Sequence, residues 1–243
     1  VYYRMVGEIA NTGLAALWEL LRENTSDPVI EQDLERVAQV LNSRHGNSNW
    51  ADSVAGDMER HYSPGRTWAA TTRAIVQLLE LGDVLDVASG DGVLAELLAP
   101  RTRSLKCLDI SERVVEAGKK RLRNYPNVSF EPGDMHQLPV ADASFDNVLL
   151  MHALTYTKTP QKVFNEAGRA LRPGGRLLAT TLKKHAHKNV VFAYDHVNLG
   201  FTEAELKKFC TKAGLNPKSV QISGVEKRSP NFEVLTLVAE KPQ

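Results

Sequence analysis

The apolar positions of the chain follow one period before residue 50 and a different organisation after it. Across residues 8–23, Ile9, Leu14, Leu17 and Leu21 make a single stripe of helical period. Ser26-Asp27-Pro28 then supplies a helix start, because the Asp27 carboxylate can accept from first-turn amides and Pro28 has no amide to leave unpaired. Beyond it Ile30, Leu34, Val37 and Leu41 recur at steps of four, three and four. That spacing is the seam of a helix packed on another, either within the chain or across a dimer. Asn42 to Asn49 is polar and glycine-containing, as a linker is. The expected boundary therefore separates a helical segment, 1–49, from a second domain, 50–243.

In the second domain a helix near Ser53–His61 and a turn at Ser63-Pro64-Gly65-Arg66 precede a helix over Thr67–Leu81. From there short apolar runs alternate with amphipathic ones. The pattern predicts strands at Val84–Val87, Leu105–Asp109, Val128–Phe130, Asn147–Met151 and Arg176–Thr181. Between them it predicts helices at Val93–Leu98, at Glu112 to about Arg123 with Ser111 as cap, and at Thr159–Leu171, broken by Arg172-Pro173-Gly174-Gly175. A helix over Thr202–Ala213, capped by Thr202 and stopped by Gly214, leads to an antiparallel pair at Ser219–Val225 and Glu233–Ala239. Strands apolar on both faces and alternating with helices specify an α/β fold. The expectation is a doubly wound, seven-stranded, mostly parallel sheet with an antiparallel last strand, preceded by the helical N-terminal segment.

Bulk properties narrow the function. A formal net charge of +1 gives no global field to draw the chain to nucleic acid or to a membrane. Cys107 and Cys210 stand alone, so they offer neither a disulfide framework nor a zinc spacing, and they suit a reducing cytoplasm. The apolar runs are too short to span a bilayer, and no basic-then-apolar leader is present. The chain opens Val1-Tyr2-Tyr3-Arg4-Met5 without an initiator methionine, a run that reads as the end of a strand. The expectation is a portion of a longer protein.

The chemistry begins at Val84-Leu85-Asp86-Val87-Ala88-Ser89-Gly90-Asp91-Gly92. A loop of small residues between a buried strand and a helix lets a ligand approach the backbone. Asp109 ends the next strand about twenty residues on, where a carboxylate can accept both hydroxyls of a ribose. The three-glycine spacing of dinucleotide oxidoreductases is missing, as is a Walker loop. The run from Asp83 to Thr181 resembles class I (Rossmann-like) S-adenosylmethionine-dependent methyltransferases in five elements in register. Besides the loop and Asp109 these are Gly133-Asp134-Met135, Phe145-Asp146-Asn147-Val148 and Leu171-Arg172-Pro173-Gly174-Gly175-Arg176-Leu177. One departure is Ala88-Ser89, where the family often carries a small residue and a cysteine.

The resemblance implies S-adenosylmethionine or S-adenosylhomocysteine as cofactor. It implies that Asp86, Ala88, Ser89, Gly90 and Gly92 form the loop under the methionine moiety, with Asp109 and Ile110 at the ribose. Asp134 would meet the adenine amino group, Met135 would pack beside the ring, and Met151 and His152 would line the floor. The run Tyr62 to Trp68 fits a lid in which Arg66 pairs with the methionine carboxylate and Tyr62 covers it. A turn with a solvated arginine is the other reading of that run.

The acceptor is marked mostly by absences. Met151-His152-Ala153-Leu154 is not the Asn/Asp-Pro-Pro-aromatic motif of amino-nitrogen enzymes; no Pro-Cys nucleophile and no thiol cluster is present. A small-molecule acceptor is expected, with His152 and His196 as candidate bases, although packing or hydrogen bonding is the commoner role of a histidine so placed. His185-Ala186-His187 has no third ligand in view, so no metal site is predicted. Val1-Tyr2-Tyr3-Arg4-Met5 and its following helix resemble the last wing strand and closing helix of an ArsR-type repressor. With Tyr62–Trp68 and Asp195-His196-Val197-Asn198-Leu199-Gly200-Phe201, the chain resembles the group in which such a DNA-binding domain is fused to a methyltransferase-like one. That resemblance implies a homodimer formed through the Ile30–Leu41 seam, and DNA contact only through an upstream winged helix. It also implies a second function, sensing of the two cofactor forms by a transcriptional regulator of methionine metabolism.

Overall fold

The chain divides into two compact units, Val1–Thr67 and Trp68–Gln243. The computed structural model describes residues 67–243 and, ahead of them, Val37 alone, which is helical and exposed. The wing-like opening, the helices expected between residues 8 and 61, the rest of the Ile30–Leu41 seam, the linker and boundary, and Tyr62 and Arg66 lie outside the described residues.

The second unit opens with α1 (Trp68–Val76) and continues β1 (Asp83–Val87), α2 (Val93–Leu98), β2 (Ser104–Asp109), α3 (Glu112–Leu122), β3 (Val128–Pro132) and β4 (Phe145–Met151). It then runs α4 (Pro160–Ala170), β5 (Leu171–Leu182), α5 (Lys188–Phe192), α6 (Glu203–Lys212), β6 (Asn216–Val225) and β7 (Glu233–Glu240). The seven strands form one sheet in the order β3-β2-β1-β4-β5-β7-β6. The first five are parallel, and β7 runs antiparallel to β5 and β6. Strand order reverses between β1 and β4, and such a reversal opens a crevice at the carboxyl ends of the strands.

Alternate residues of the central strands feed two separate cores. Leu85, Val87, Val148 and Leu150 join Val163 and Phe164 of α4 and Leu206 of α6 in one cluster. Val84, Leu105, Cys107 and Leu149 join Ala95 of α2 with Val115 and Leu122 of α3 in the other. This explains strands without polar alternation: both faces are covered by helices. Gly118 lets α3 sit directly on β3, since a Cβ there would lie 2.3 Å from Cε2 of Phe130. Both predicted caps form. Ser111 Oγ accepts from Val114 N, and Thr202 with Glu205 makes a reciprocal capping box.

Two expectations on element bounds are corrected. The first helix ends at Val76, not Leu81, because Gln77, Leu78 and Leu79 turn back onto carbonyls three residues earlier and Gly82 takes φ 64 to enter β1. Arg172-Pro173-Gly174-Gly175 breaks the helix but belongs to a strand: Leu171 already pairs with Phe145, and an irregularity between Phe145 and Asn147 absorbs the glycines. The short α5 and a 3-10 turn at Ala153–Tyr156 were not expected from periodicity. Among the described residues, no helix is long and apolar enough to cross a membrane.

Opposite the carboxyl ends, Asp83 and Asp146 at the starts of β1 and β4 share Arg103 and Arg172. The Arg103 hydrogen bond is the main cause holding the Asp83 carboxyl well below the usual carboxylate range. The cluster ties β1 to β4 at the end remote from the crevice.

Candidate cofactor site

A cavity of about 530 Å³ lies at the carboxyl ends of β1 to β4, a size that encloses a small molecule. Its lining follows sheet order. After β3 come Gly133, Asp134, Met135 and His136, and after β2 come Asp109 and Ile110. After β1 come Ala88 and Gly90, and after β4 come Met151, His152, Ala153 and Tyr156. Across the crevice the sequence of groups is therefore acid, acid, glycine loop, then histidine with tyrosine.

The loop after β1 is held open by its own backbone. Ala88 takes φ 55 and Gly90 φ 58, so a residue bearing a Cβ is kept in the left-handed region beside the cavity. Such strain persists only where the surroundings enforce it. They do: Ser89 N donates to the Leu108 carbonyl at 3.0 Å, and Ser89 Oγ donates to the same oxygen at 3.3 Å. Gly90 N donates to Asp109 Oδ2 at 3.1 Å, while Asp109 Oδ1 accepts from Ser111 N at 3.0 Å. Asp109 thereby ties two loops together and still has lone pairs to offer. A Cβ on Gly90 would meet nothing within 4 Å, so the space above it belongs to the cavity.

Three residues expected at the cofactor, Asp86, Ser89 and Gly92, do not line the cavity. Gly92, at φ 81, is needed for packing: a Cβ there would lie 2.9 Å from Leu122 and 3.1 Å from Phe130. Asp86 is 1% exposed, and neither carboxylate oxygen has a donor among the described residues. Burial first, and the charge of Asp109 second, push its carboxyl up to about 7. Cys107, its register partner in β2, has a thiol raised by the same burial. An unpaired buried carboxylate is costly, and a cationic ligand would relieve that cost.

On the β4 side His152 stands at φ 59, its amide donating to the Thr180 carbonyl at 2.9 Å. Although open to the cavity, its imidazole is held below the ordinary range by the protein around it, against the pull of Glu226. His196 is not part of the lining. Its ring stands edge-on to Tyr156 with centroids 5.1 Å apart, and burial followed by the charge of His152 lowers it too. His185 and His187 stack at 5.9 Å, and both pack on Phe232. Two lining residues had no advance signal. His136 engages Asp134 and, from 21 positions away, Thr157; Tyr156 reaches the cavity through an unforeseen 3-10 turn.

Residues 85–179 match the family described as "Methyltransferase domain", a stretch running from β1 well into β5. In fold and over this stretch the chain is similar to class I, Rossmann-like methyltransferase domains, which use S-adenosylmethionine. The chain is 36% identical over 140 residues to the demethylmenaquinone methyltransferase of Clavibacter sepedonicus, covering 57% of this chain and 53% of that protein. It is 29% identical over 178 residues to the ubiquinone/menaquinone biosynthesis C-methyltransferase UbiE of Pseudomonas entomophila, covering 70% of this chain and 67% of that one. The chain spans about half, or less, of the first curated relatives it matches. Among solved structures, an S-adenosylmethionine-dependent methyltransferase from Methanosarcina mazei shares the fold, with TM-score 0.57, 19% identity, and coverage of 70% of this chain and 97% of that one. The residues present fit the cofactor: open space above Gly90, acids for hydroxyl and amino donors, and an orphaned carboxylate that favours positive charge.

Proposed function

We propose that the chain transfers a methyl group from S-adenosylmethionine to a small molecule, and that the acceptor atom is an electron-rich aromatic carbon of quinol type. The order of side chains along the strand ends carries this reading. An elongated nucleoside would lie across it, with Asp134 holding the adenine amino group, Met135 and Ile110 packing on the ring, and Asp109 accepting from the ribose hydroxyls. The methionine moiety would then fall over Ala88 and Gly90. The bound cofactor supplies a methyl group on positively charged sulfur. Asp86, beneath the loop, opposes that charge.

The acceptor stands beside Met151, His152 and Tyr156. The bound cofactor would supply the methyl group, and the acceptor carbon that takes it would have a proton to give up. His152, with His196 behind Tyr156 as the second candidate, is kept unprotonated by its surroundings and is placed to take that proton. The aromatic acceptor draws its support from the activities named for the quinone-biosynthesis relatives and from a lining in which Met151 and Tyr156 accompany His152 after β4.

A second reading, a sensor of the two cofactor forms within an ArsR-type regulator, draws on Val1–Met5, the Ile30–Leu41 seam and Asp195–Phe201. Calorimetric titration with S-adenosylmethionine and S-adenosylhomocysteine, followed by labelled-methyl transfer to a soluble demethylated naphthoquinol, separates the two. Binding of both forms with label in the quinol ring is the expected result. Much tighter binding of the homocysteine form without transfer favours the regulator, and binding of neither refutes the site.

A further inference from the structure

We propose that His136 makes the site selective for a 6-amino purine by locking Asp134 as a fixed hydrogen-bond acceptor; the proposal rests on the cofactor reading above. Asp134 Oδ1 accepts twice from the same residue, from His136 N at 2.8 Å and from the ring Nδ1 at 2.6 Å. Asp134 Oδ2 has no partner among the described residues, so the anchored carboxylate presents one oxygen to a ligand donor. His136 is itself anchored. Its Nε2 lies 2.7 Å from Oγ1 of Thr157, a residue 1% exposed, and that hydroxyl also accepts from Thr159 N at 2.9 Å.

A carboxylate only accepts, so Nδ1 carries a proton, and in the neutral ring Nε2 offers a lone pair. The Thr157 hydroxyl, accepting from Thr159, gives its own hydrogen to Nε2. A one-way chain thus runs from the Thr159 amide through Thr157 and His136 to Asp134. Reversing the imidazole tautomer would set two acceptors, Nδ1 and the Asp134 carboxylate, face to face. Half of the Asp134 side chain is exposed, and without the His136 ring it would keep one hydrogen bond, from the residue 136 amide, and the more distant charge of Lys162. Locked, it accepts from the amino group of adenine and repels the carbonyl oxygen of a 6-oxo purine.

The test is calorimetry with S-adenosylhomocysteine and with its 6-oxo counterpart, S-inosylhomocysteine. The wild-type protein is expected to prefer the amino form by about ten- to a hundredfold, the range of a charge-assisted hydrogen bond. His136→Ala should cut that preference by about tenfold while moving the 6-oxo affinity by less than about twofold. His136→Asn, which keeps a donor near the Nδ1 position, should retain most of it. A purely structural role would weaken both ligands alike, and an unchanged ratio in His136→Ala overturns the proposal. Equal wild-type affinities overturn it too, while leaving the cofactor site standing. Should the wild type bind neither ligand, the cofactor reading fails first. Nitrogen NMR of the free protein then judges the relay alone: the Nδ1–H tautomer at His136 supports it, and the Nε2–H tautomer overturns it.

Discussion

Replacing Asp86 by asparagine removes a charge that the fold holds at a cost. The carboxyl is 1% exposed, has no donor among the described residues, and faces the charge of Asp109, so it is pushed from 3.8 up to about 7. At about 1.36 kcal/mol for each pH unit, keeping it ionised costs the folded state about 4 kcal/mol. The sign follows from proton binding. Between about pH 4 and pH 7 the folded protein holds a proton that the unfolded chain has released, so stability from this group falls as pH rises and levels off above about 7. Asp83, Asp134, Asp146, Glu166 and Glu205, all lowered, act in the opposite sense and dominate the profile of the whole protein. The quantity to measure is therefore the difference between Asp86→Asn and wild type. Guanidinium unfolding followed by circular dichroism, with amide exchange at β1 and β4 to report on this unit, gives it across pH 4.5 to 8. The ligand-free variant should gain on the wild type by about 3 kcal/mol between those limits. A difference that stays constant with pH, or moves in favour of the wild type, would refute the reasoning. The same variant should lose affinity for the sulfonium cofactor more than for its neutral homocysteine product.

Other substitutions separate packing from binding. Gly118→Ala would normally strengthen a helix by about 1 kcal/mol, but its Cβ would fall 2.3 Å from Phe130. It should instead lower stability by about 1–3 kcal/mol in chemical denaturation. Gly90→Ala meets no atom within 4 Å, so stability should fall only by the strain of its φ, about 1 kcal/mol. Calorimetric affinity for S-adenosylhomocysteine should drop far more, since the methyl group occupies ligand space. Asp109→Ala removes the acceptor for both ribose hydroxyls, and a loss of about ten- to a hundredfold in affinity is expected; unchanged affinity would sink the ribose assignment.

The central fold was legible because its signals are local. Val84-Leu85-Asp86-Val87 is apolar on both sides of one acid, and Ser111 and Thr202 announce helices by caps that need only the next three residues. The position of Asp109, Asp134 and Gly90 at the cavity was readable for the same reason: each sits a fixed distance from a strand end. His136 was not, because its significance lies in Thr157, brought to it only by the return of the chain after β4. Gly92 reads in sequence as a ligand residue, yet the space it frees is taken by Leu122 and Phe130. The glycines after Arg172 spell a turn locally, and pairing of Leu171 with Phe145 overrides them.

The placement of β7 between β5 and β6 bears on how the protein is made. As the chain emerges from a ribosome, β5 is finished while its outer edge is still bare, and β6 follows with no strand beside it. Residues 233–240 must emerge before either is satisfied, and Leu235, Leu237 and Ala239, all at 0% exposure, then close the core over α4 and α6. Until that moment the nascent sheet offers an open, apolar edge to any neighbour. A stop codon near residue 230 would therefore remove not one strand but the pairing of three, leaving a cofactor crevice on a scaffold unable to shut.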